Sequence, residues 1–289
     1  MGGTWNHFRL DQSQRDRVTL WISVADRSVN VLMEDVFEEL KSVLADTESC
    51  KPSLPLVIRS AKPNSFVVGA DLRRLLEIRS DDETKDFLER GQNAFDRLEQ
   101  CQKDTIAVIQ GPCLGGGLEF ALACRFRIAM DESKTRLGLP ESQLGLIPGW
   151  GGTQRLIERI GAFHGIRMLM TGNSIAPREA LEIGLVDSIA VASELEDSIT
   201  EFVRSVASRS QASRNKRGIA MATDVSLETA RQAILPFKPL SACQQAIANA
   251  IEAGICQSKD SGLRAEREQF FPLLFSEAVR AKLLKFVKP

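Results

Sequence analysis

The sequence predicts an α/β fold followed by an α-helical C-terminal segment. Three observations carry that expectation. Short β-rich apolar runs alternate with helical stripes in the first part of the chain, helix follows helix from about Ala192 onward, and glycines crowd into Gly111 to Gly172. The division falls between an α/β part at residues 1–191 and a helical part at residues 192–289.

The elements justify themselves in order. Val18 to Val24 (VTLWISV) alternates like a strand, and Glu34 to Leu44 then sets Val36, Phe37, Leu40, Val43 and Leu44 at helical spacing. Leu54 to Ser60 (LPLVIRS) is the next strand. Phe66 to Leu72 (FVVGADL) is an apolar run that leads into a helical pattern, and Asp82 to Gln100 is a helix with Phe87, Leu88, Phe95 and Leu98 on one face. Ile106 to Gln110 (IAVIQ) is a buried strand; after the Gly115-Gly116-Gly117 turn, Leu118 to Met130 begins a helix with Leu118, Leu122 and Phe126 along it. Leu137 to Arg155 (LGLPESQLGLIPGWGGTQR) is an apolar, glycine-rich loop. Past Ala192, the stripe Leu195, Ile199, Phe202, Val203 and Val206 opens the helical part. Ala207 to Arg217 (ASRSQASRNKR) is a basic linker or helix end with anion binding as its alternative, and Pro236 and Pro239 mark a hinge or subdomain boundary.

Composition narrows the function classes. The chain has 289 residues, 37 basic and 38 acidic, so its formal charge of -1 points neither to nucleic acid nor to an anionic membrane surface. Ile106 to Cys124, the longest apolar stretch, is broken by Gln110, Pro112, glycines and Glu119 and is no membrane span. The N-terminal residues lack the apolar core of a signal peptide, and Asp11 and Asp16 disfavour a transit peptide, so a cytoplasmic protein is expected. Six cysteines (Cys50, Cys101, Cys113, Cys124, Cys243, Cys256) without a CxxC pair fit reduced, mostly buried thiols. With two histidines and no tyrosine, a three-His metal centre cannot be built and no metal is expected. Chemistry falls to carboxylates, thiols, hydroxyls, lysines or backbone amides.

Three places hold candidates for it. In Gly69-Ala70-Asp71, a glycine beside a small residue lets a backbone N–H face a ligand oxygen, although Asp71 as a plain helix N-cap explains the same residues. Gly111 to Glu119 (GPCLGGGLE) presents the Gly116 amide at a helix start, where the helix dipole favours an oxyanion; Glu119 is either functional or a first-turn acid placed by the same dipole. Glu141 follows Pro140 in an apolar loop that can raise its proton affinity, against the plain alternative of an exposed loop acid. The run Gly149-Trp150-Gly151 is rejected as a dinucleotide motif because Gln154 stands where its last glycine belongs. Two carboxylates with two amides suffice for acid-base chemistry beside a polarised carbonyl.

Taken in order, SVNVLMEDVFEEL, SAKPNSFVVGADL, IQGPCLGGGLEFALACRFRIA, TRLGLPESQLGLIPGWGGTQRL and MLMTGNSIAPREALEIGLVDSI resemble the enoyl-CoA hydratase/isomerase (crotonase) superfamily over most of the chain. The last part, PFKPLSACQQAIANAIEAG through REQFFPLLFSEAVRAKLLKFV, is similar to the linker helices of multifunctional fatty-acid oxidation α-chains, in which a dehydrogenase follows. The resemblance implies a crotonase-like spiral of ββα units that binds an acyl-CoA. It implies an oxyanion hole from the Ala70 and Gly116 amides, catalytic Glu119 and Glu141, and acyl-CoA contacts at Ala61, Lys62, Val68, Leu72 and Arg73, with Lys62 equally readable as a surface lysine.

The reading that follows is an enoyl-CoA hydratase of β-oxidation. It adds water syn to trans-2-enoyl-CoA, with Δ3-Δ2 isomerisation as a candidate second activity, the coenzyme A thioester as substrate and no further cofactor. Isomerisation or another CoA-enolate reaction on the same fold, and a non-catalytic assembly subunit, are the alternatives. A dehydrogenase domain or thiolase partner is implied by the resemblance, and the helical tail favours a monomer or small oligomer.

Overall fold

The computed structural model describes residues 5–49, 53–208 and 225–287. Cys50 and residues 209–217 of the basic stretch lie outside them. The chain begins with β1 (Phe8–Asp11) and β2 (Val18–Ile22), followed by α1 (Glu34–Ser49), β3 (Leu56–Ser60), α2 (Leu72–Glu77) and α3 (Asp81–Glu99). The middle of the chain forms β4 (Thr105–Ile109), β5 (Pro112–Leu114), α4 (Gly116–Ala123), β6 (Phe126–Met130), β7 (Arg136–Gly138) and α5 (Glu141–Leu144). Next come α6 (Gly152–Thr171), α7 (Pro177–Glu182), β8 (Ser188–Ala190) and α8 (Leu195–Ala207), and the helical end consists of α9 (Leu227–Ile234), α10 (Ala242–Cys256), α11 (Lys259–Leu274) and α12 (Glu277–Val287).

Six strands form one sheet in the order β1-β2-β3-β4-β6-β8, antiparallel only between β1 and β2. Its central strands are buried throughout because both faces are covered, as parallel sheets require. A second, short layer runs beside it. β5 pairs with β7, and single bridges join Leu32 to Ala70, Val67 to Cys113 and Leu137 to Ile175. Each turn of the chain thus supplies a long strand, a short extended stretch and a helix, which is the ββα spiral that the resemblance implies.

On one side of the sheet, Phe37, Phe87 and Phe95 from α1 and α3 surround Trp150, with ring centroids 5.0, 5.3 and 6.1 Å away. On the other side, Ile199, Phe202, Val203 and Val206 of α8 cover Val57, Ile106, Val108, Phe126 and Ile128. These buried aromatic and aliphatic side chains hold the two layers rigid beneath the site.

Two stretches differ from the sequence reading: Leu137 to Arg155, expected as a loop, carries most of β7, all of α5 and the start of α6, and the helix expected from Leu118 to Met130 is cut short. The helix beginning near Leu118 stops at Ala123, and Phe126 opens a strand instead of continuing the stripe. Cys124 is already extended (φ -72, ψ 152), and Phe126–Met130 pairs with β4 and β8. The tertiary demand for a strand between those two overrides helical spacing that only three residues supported. The strands β1, β5, β7 and β8 are too short to stand out as apolar alternations.

The C-terminal helices lie against the spiral. α9 and α10 pack on α6, α11 on α3, α6 and α10, and α12 on α2 and α5. Gly254 of α10 and Gly262 of α11 both face the Gln154 side chain of α6, so closely that an added Cβ would stand 1.8 and 2.3 Å from it. Arg280 of α12 donates to the carbonyls of Leu75, Leu76 and Ile78 at the end of α2. No helix among the described residues is long and apolar enough to cross a membrane.

Candidate active site

Two glycine turns bring backbone to backbone. Gly69 has φ +106 and Gly115 φ +54, conformations that side chains resist. A Cβ at Gly69 would lie 3.7 Å from the Gly116 nitrogen, and one at Gly117 only 1.9 Å from the Val67 carbonyl oxygen, so the two segments touch because glycines stand there. Leu32 donates to Gly69 O (2.9 Å) and accepts from Asp71 N–H (3.1 Å), which turns the intervening Ala70 amide away from that strand. Gly116 is the first residue of α4, where no intrahelical carbonyl is available to its N–H. Two amide donors thus lie on adjoining segments, the second at a helix start whose dipole favours negative charge.

Glu119 sits one turn into α4 and is 1% exposed. Its Oε1 accepts from the Trp150 and Gly152 amides, both at 2.8 Å. Burial pushes its proton affinity well up, the neighbouring charges of Glu141 and Glu266 push it further, and the two amides partly oppose this.

Glu141 opens α5 after Pro140, and its Oε1 approaches Gly115 so closely that a Cβ there would be 2.9 Å away. The residue as a whole is half-buried, but Oε2 is shut off from solvent and meets no hydrogen-bond donor among the described residues. Burial raises its pKa to about 8, with the charge of Glu266 adding to the rise. The structure therefore brings both predicted carboxylates to the two amide segments. Both carboxyls hold their protons to higher pH than an exposed glutamate, and Glu141, whose Oε2 meets no donor among the described residues, has the carboxylate less stabilised by hydrogen bonds.

Asp71 proves to be the helix cap of the plainer reading: it accepts from Arg73 N–H at 2.9 Å and pairs with Arg27 at 2.8 Å. The remaining predicted contacts lie along the segment from β3 to α2. Val68 and Leu72 are half-buried beside Ala70, while Ala61 and Arg73 are exposed. The Lys62 ammonium is engaged by the carbonyls of Val24, at 2.7 Å, and Arg27. Among the described residues no group of three or more His, Cys, Asp and Glu is placed to hold a metal ion. Cys101, Cys113, Cys124 and Cys243 are unbridged and buried, and Cys256 is unbridged and exposed.

Sequence reasoning missed Glu266. This side chain of α11 is fully buried beside the site, accepting from the amides of Gly151 (2.8 Å) and Thr153 (3.0 Å) and from the Thr153 hydroxyl (2.5 Å). Its pKa rises to about 7, chiefly through burial. The one available signal was an acid on an otherwise inward-facing position of a helix. It also missed why glycines surround Trp150: the chain there is wrapped around carboxylates, and a Cβ at Gly152 would lie 2.9 Å from Glu119 Oε1.

A sequence profile described as enoyl-CoA hydratase/isomerase matches residues 17–247. The chain belongs to the enoyl-CoA hydratase/isomerase family. It is 36% identical over 256 residues to the fatty acid oxidation complex subunit alpha of Aliivibrio fischeri, covering 87% of this chain and 37% of that protein. The corresponding subunit of Vibrio cholerae is 32% identical over 285 residues, covering 96% of this chain and 40% of the relative. The chain thus spans about two fifths of the length of these curated relatives. Among solved structures, an enoyl-CoA hydratase from Bacillus anthracis superposes with a TM-score of 0.65 at 26% identity, covering 94% of this chain and 92% of that one. Human mitochondrial Δ3-Δ2-enoyl-CoA isomerase gives a TM-score of 0.70 at 20% identity over 97% of this chain and 96% of its own, a likeness of fold alone.

Proposed function

We propose that the chain is an enoyl-CoA hydratase, adding water to a trans-2-enoyl-CoA to give the 3-hydroxyacyl-CoA. The observation that supports it is the pairing of two buried carboxylates with the Ala70 amide, which the Leu32 bonds to Gly69 and Asp71 turn outward, and the Gly116 amide at the start of α4. Hydration needs an acid and a base at adjacent carbons and a site for the negative charge that forms between them.

In this reading the thioester oxygen accepts from the Ala70 and Gly116 amides, which draws electron density from Cβ through the conjugated double bond. Glu119, its Oε1 fixed by two amides, takes a proton from water through Oε2 as the water oxygen bonds to Cβ. The double-bond electrons move onto the thioester oxygen as an enolate. They return to form the Cα–H bond with the proton of Glu141. One water is consumed; Glu119 ends protonated and Glu141 ionised, and proton exchange restores both.

The same Glu141, alone, can move a proton between Cα and Cγ of a 3-enoyl-CoA, so Δ3-Δ2 isomerisation accompanies hydration in this proposal. The likeness to fatty acid oxidation complex α-subunits supports a role in fatty-acid oxidation, with a dehydrogenase domain or thiolase as the partner that receives the product. The test is the loss of conjugated-thioester absorbance when crotonyl-CoA or a longer enoyl-CoA meets the purified chain. Turnover with formation of 3-hydroxyacyl-CoA is expected. No turnover of any chain length would leave a non-catalytic assembly subunit as the better reading.

A further inference from the structure

We propose that Glu266, on α11 of the helical C-terminal segment, is a positioning residue for Glu119, holding the backbone run that orients the catalytic carboxylate. The proposal rests on the hydratase reading of the site. Its basis is how the four amides from Trp150 to Thr153 are shared. Trp150 and Gly152 donate to Glu119, while Gly151 and Thr153 donate to Glu266, so successive N–H groups of one short stretch go alternately to two carboxylates. Gly151, at φ +96, makes that alternation possible. The stretch is fixed at its other polar edge by Arg155, which donates to Trp150 O at 2.7 Å and is itself paired with Asp96 and, at 2.7 Å, Glu99.

The chemistry calls for a carboxylate at this place. Besides the two amides, the Thr153 hydroxyl and the Gln92 amide nitrogen (3.3 Å) point at Glu266, so every neighbour is a donor. A glutamine there would turn an NH2 group against some of them. An acid costs more to bury than a neutral side chain, and only its acceptor-only character repays that cost here. Its charge has a second effect, because it adds to the forces that keep protons on Glu119 and Glu141. Glu266 therefore touches neither the amides of Ala70 and Gly116 nor the reacting atoms in this scheme. It acts through Glu119.

The experiment compares Glu266→Gln, Thr153→Val, Glu119→Gln and the Glu119→Gln/Glu266→Gln double variant in the full chain. With crotonyl-CoA, Glu266→Gln is expected to lower kcat by about 10- to 100-fold, since small misplacement of a catalytic group is costly. KM should stay within about threefold, and the double variant should be no slower than Glu119→Gln alone, because residues acting as a unit are not additive. An unchanged kcat, a loss confined to KM, or additive losses would overturn the proposal. If Glu266→Gln does not fold, Thr153→Val decides the matter: a smaller fall in kcat is expected, and none contradicts it. Should the wild-type chain hydrate no enoyl-CoA, the functional reading fails by itself. Amide hydrogen exchange across residues 148–155 then still judges the hold of Glu266, which predicts faster exchange there in both variants and is refuted by exchange equal to wild type.

Discussion

Burial is what equips Glu141 for its part. A carboxyl with a pKa of about 8 is still protonated at neutral pH and can deliver its proton to carbon. Hydration should accordingly fall as pH rises through about 8, which a pH profile of kcat at saturating crotonyl-CoA would show. Stability carries the same sign. Because the folded state holds this proton up to about 8 while an unfolded glutamate releases it near 4.5, the chain loses stability as pH climbs between those values. Glu141→Gln removes that loss, so its melting temperature is expected to exceed the wild-type value by a few degrees at pH 8 and to differ little at pH 4.5. A melting difference that is flat across this range would contradict the assignment. At this scale much was legible: Glu119, Glu141 and the Gly69 and Gly116 turns all stand out as acids or glycines in apolar surroundings. Glu266 was not legible, since its meaning comes from amides far away in the chain that only the fold brings to it.

At the scale of elements, the site depends on how near the α4 entry comes to the Val67–Ala70 stretch. Gly117 carries that approach, because any side chain would collide with backbone, which cannot swing aside as a side chain tip can. Gly117→Ala is expected to destabilise the fold by about 3 kcal/mol in urea unfolding and to separate the Ala70 and Gly116 amides, lowering kcat as well. Unaltered stability would mean that the two segments are not in contact. The long elements α1, α3 and β2 to β4 were legible from periodicity because each presents a long apolar stripe or run. The run from Leu118 to Met130 was misjudged: helix and strand share apolar residues there, and the boundary at Cys124 is set by the neighbours β4 and β8.

Across the whole molecule, the helical C-terminal segment joins the site through α11 and grips α6 at Gln154. Gly254→Ala would force Gln154 out of its place between α10 and α11. A melting temperature lower by about 5 °C, with kcat falling alongside as Glu266 shifts, is expected. If the helices contributed only stability, kcat would hold at temperatures where the variant is folded. The α/β-then-helical order was legible in the sequence, whereas the docking of the helices onto α2, α3, α5 and α6 was not, because an apolar stripe does not name the surface that covers it. The central claim is that two carboxylates act together on water beside two amides. The most direct measurement is crotonyl-CoA hydration by Glu119→Gln: a fall of about 100-fold or more with the protein folded is expected, and hydration near the wild-type rate would contradict the account.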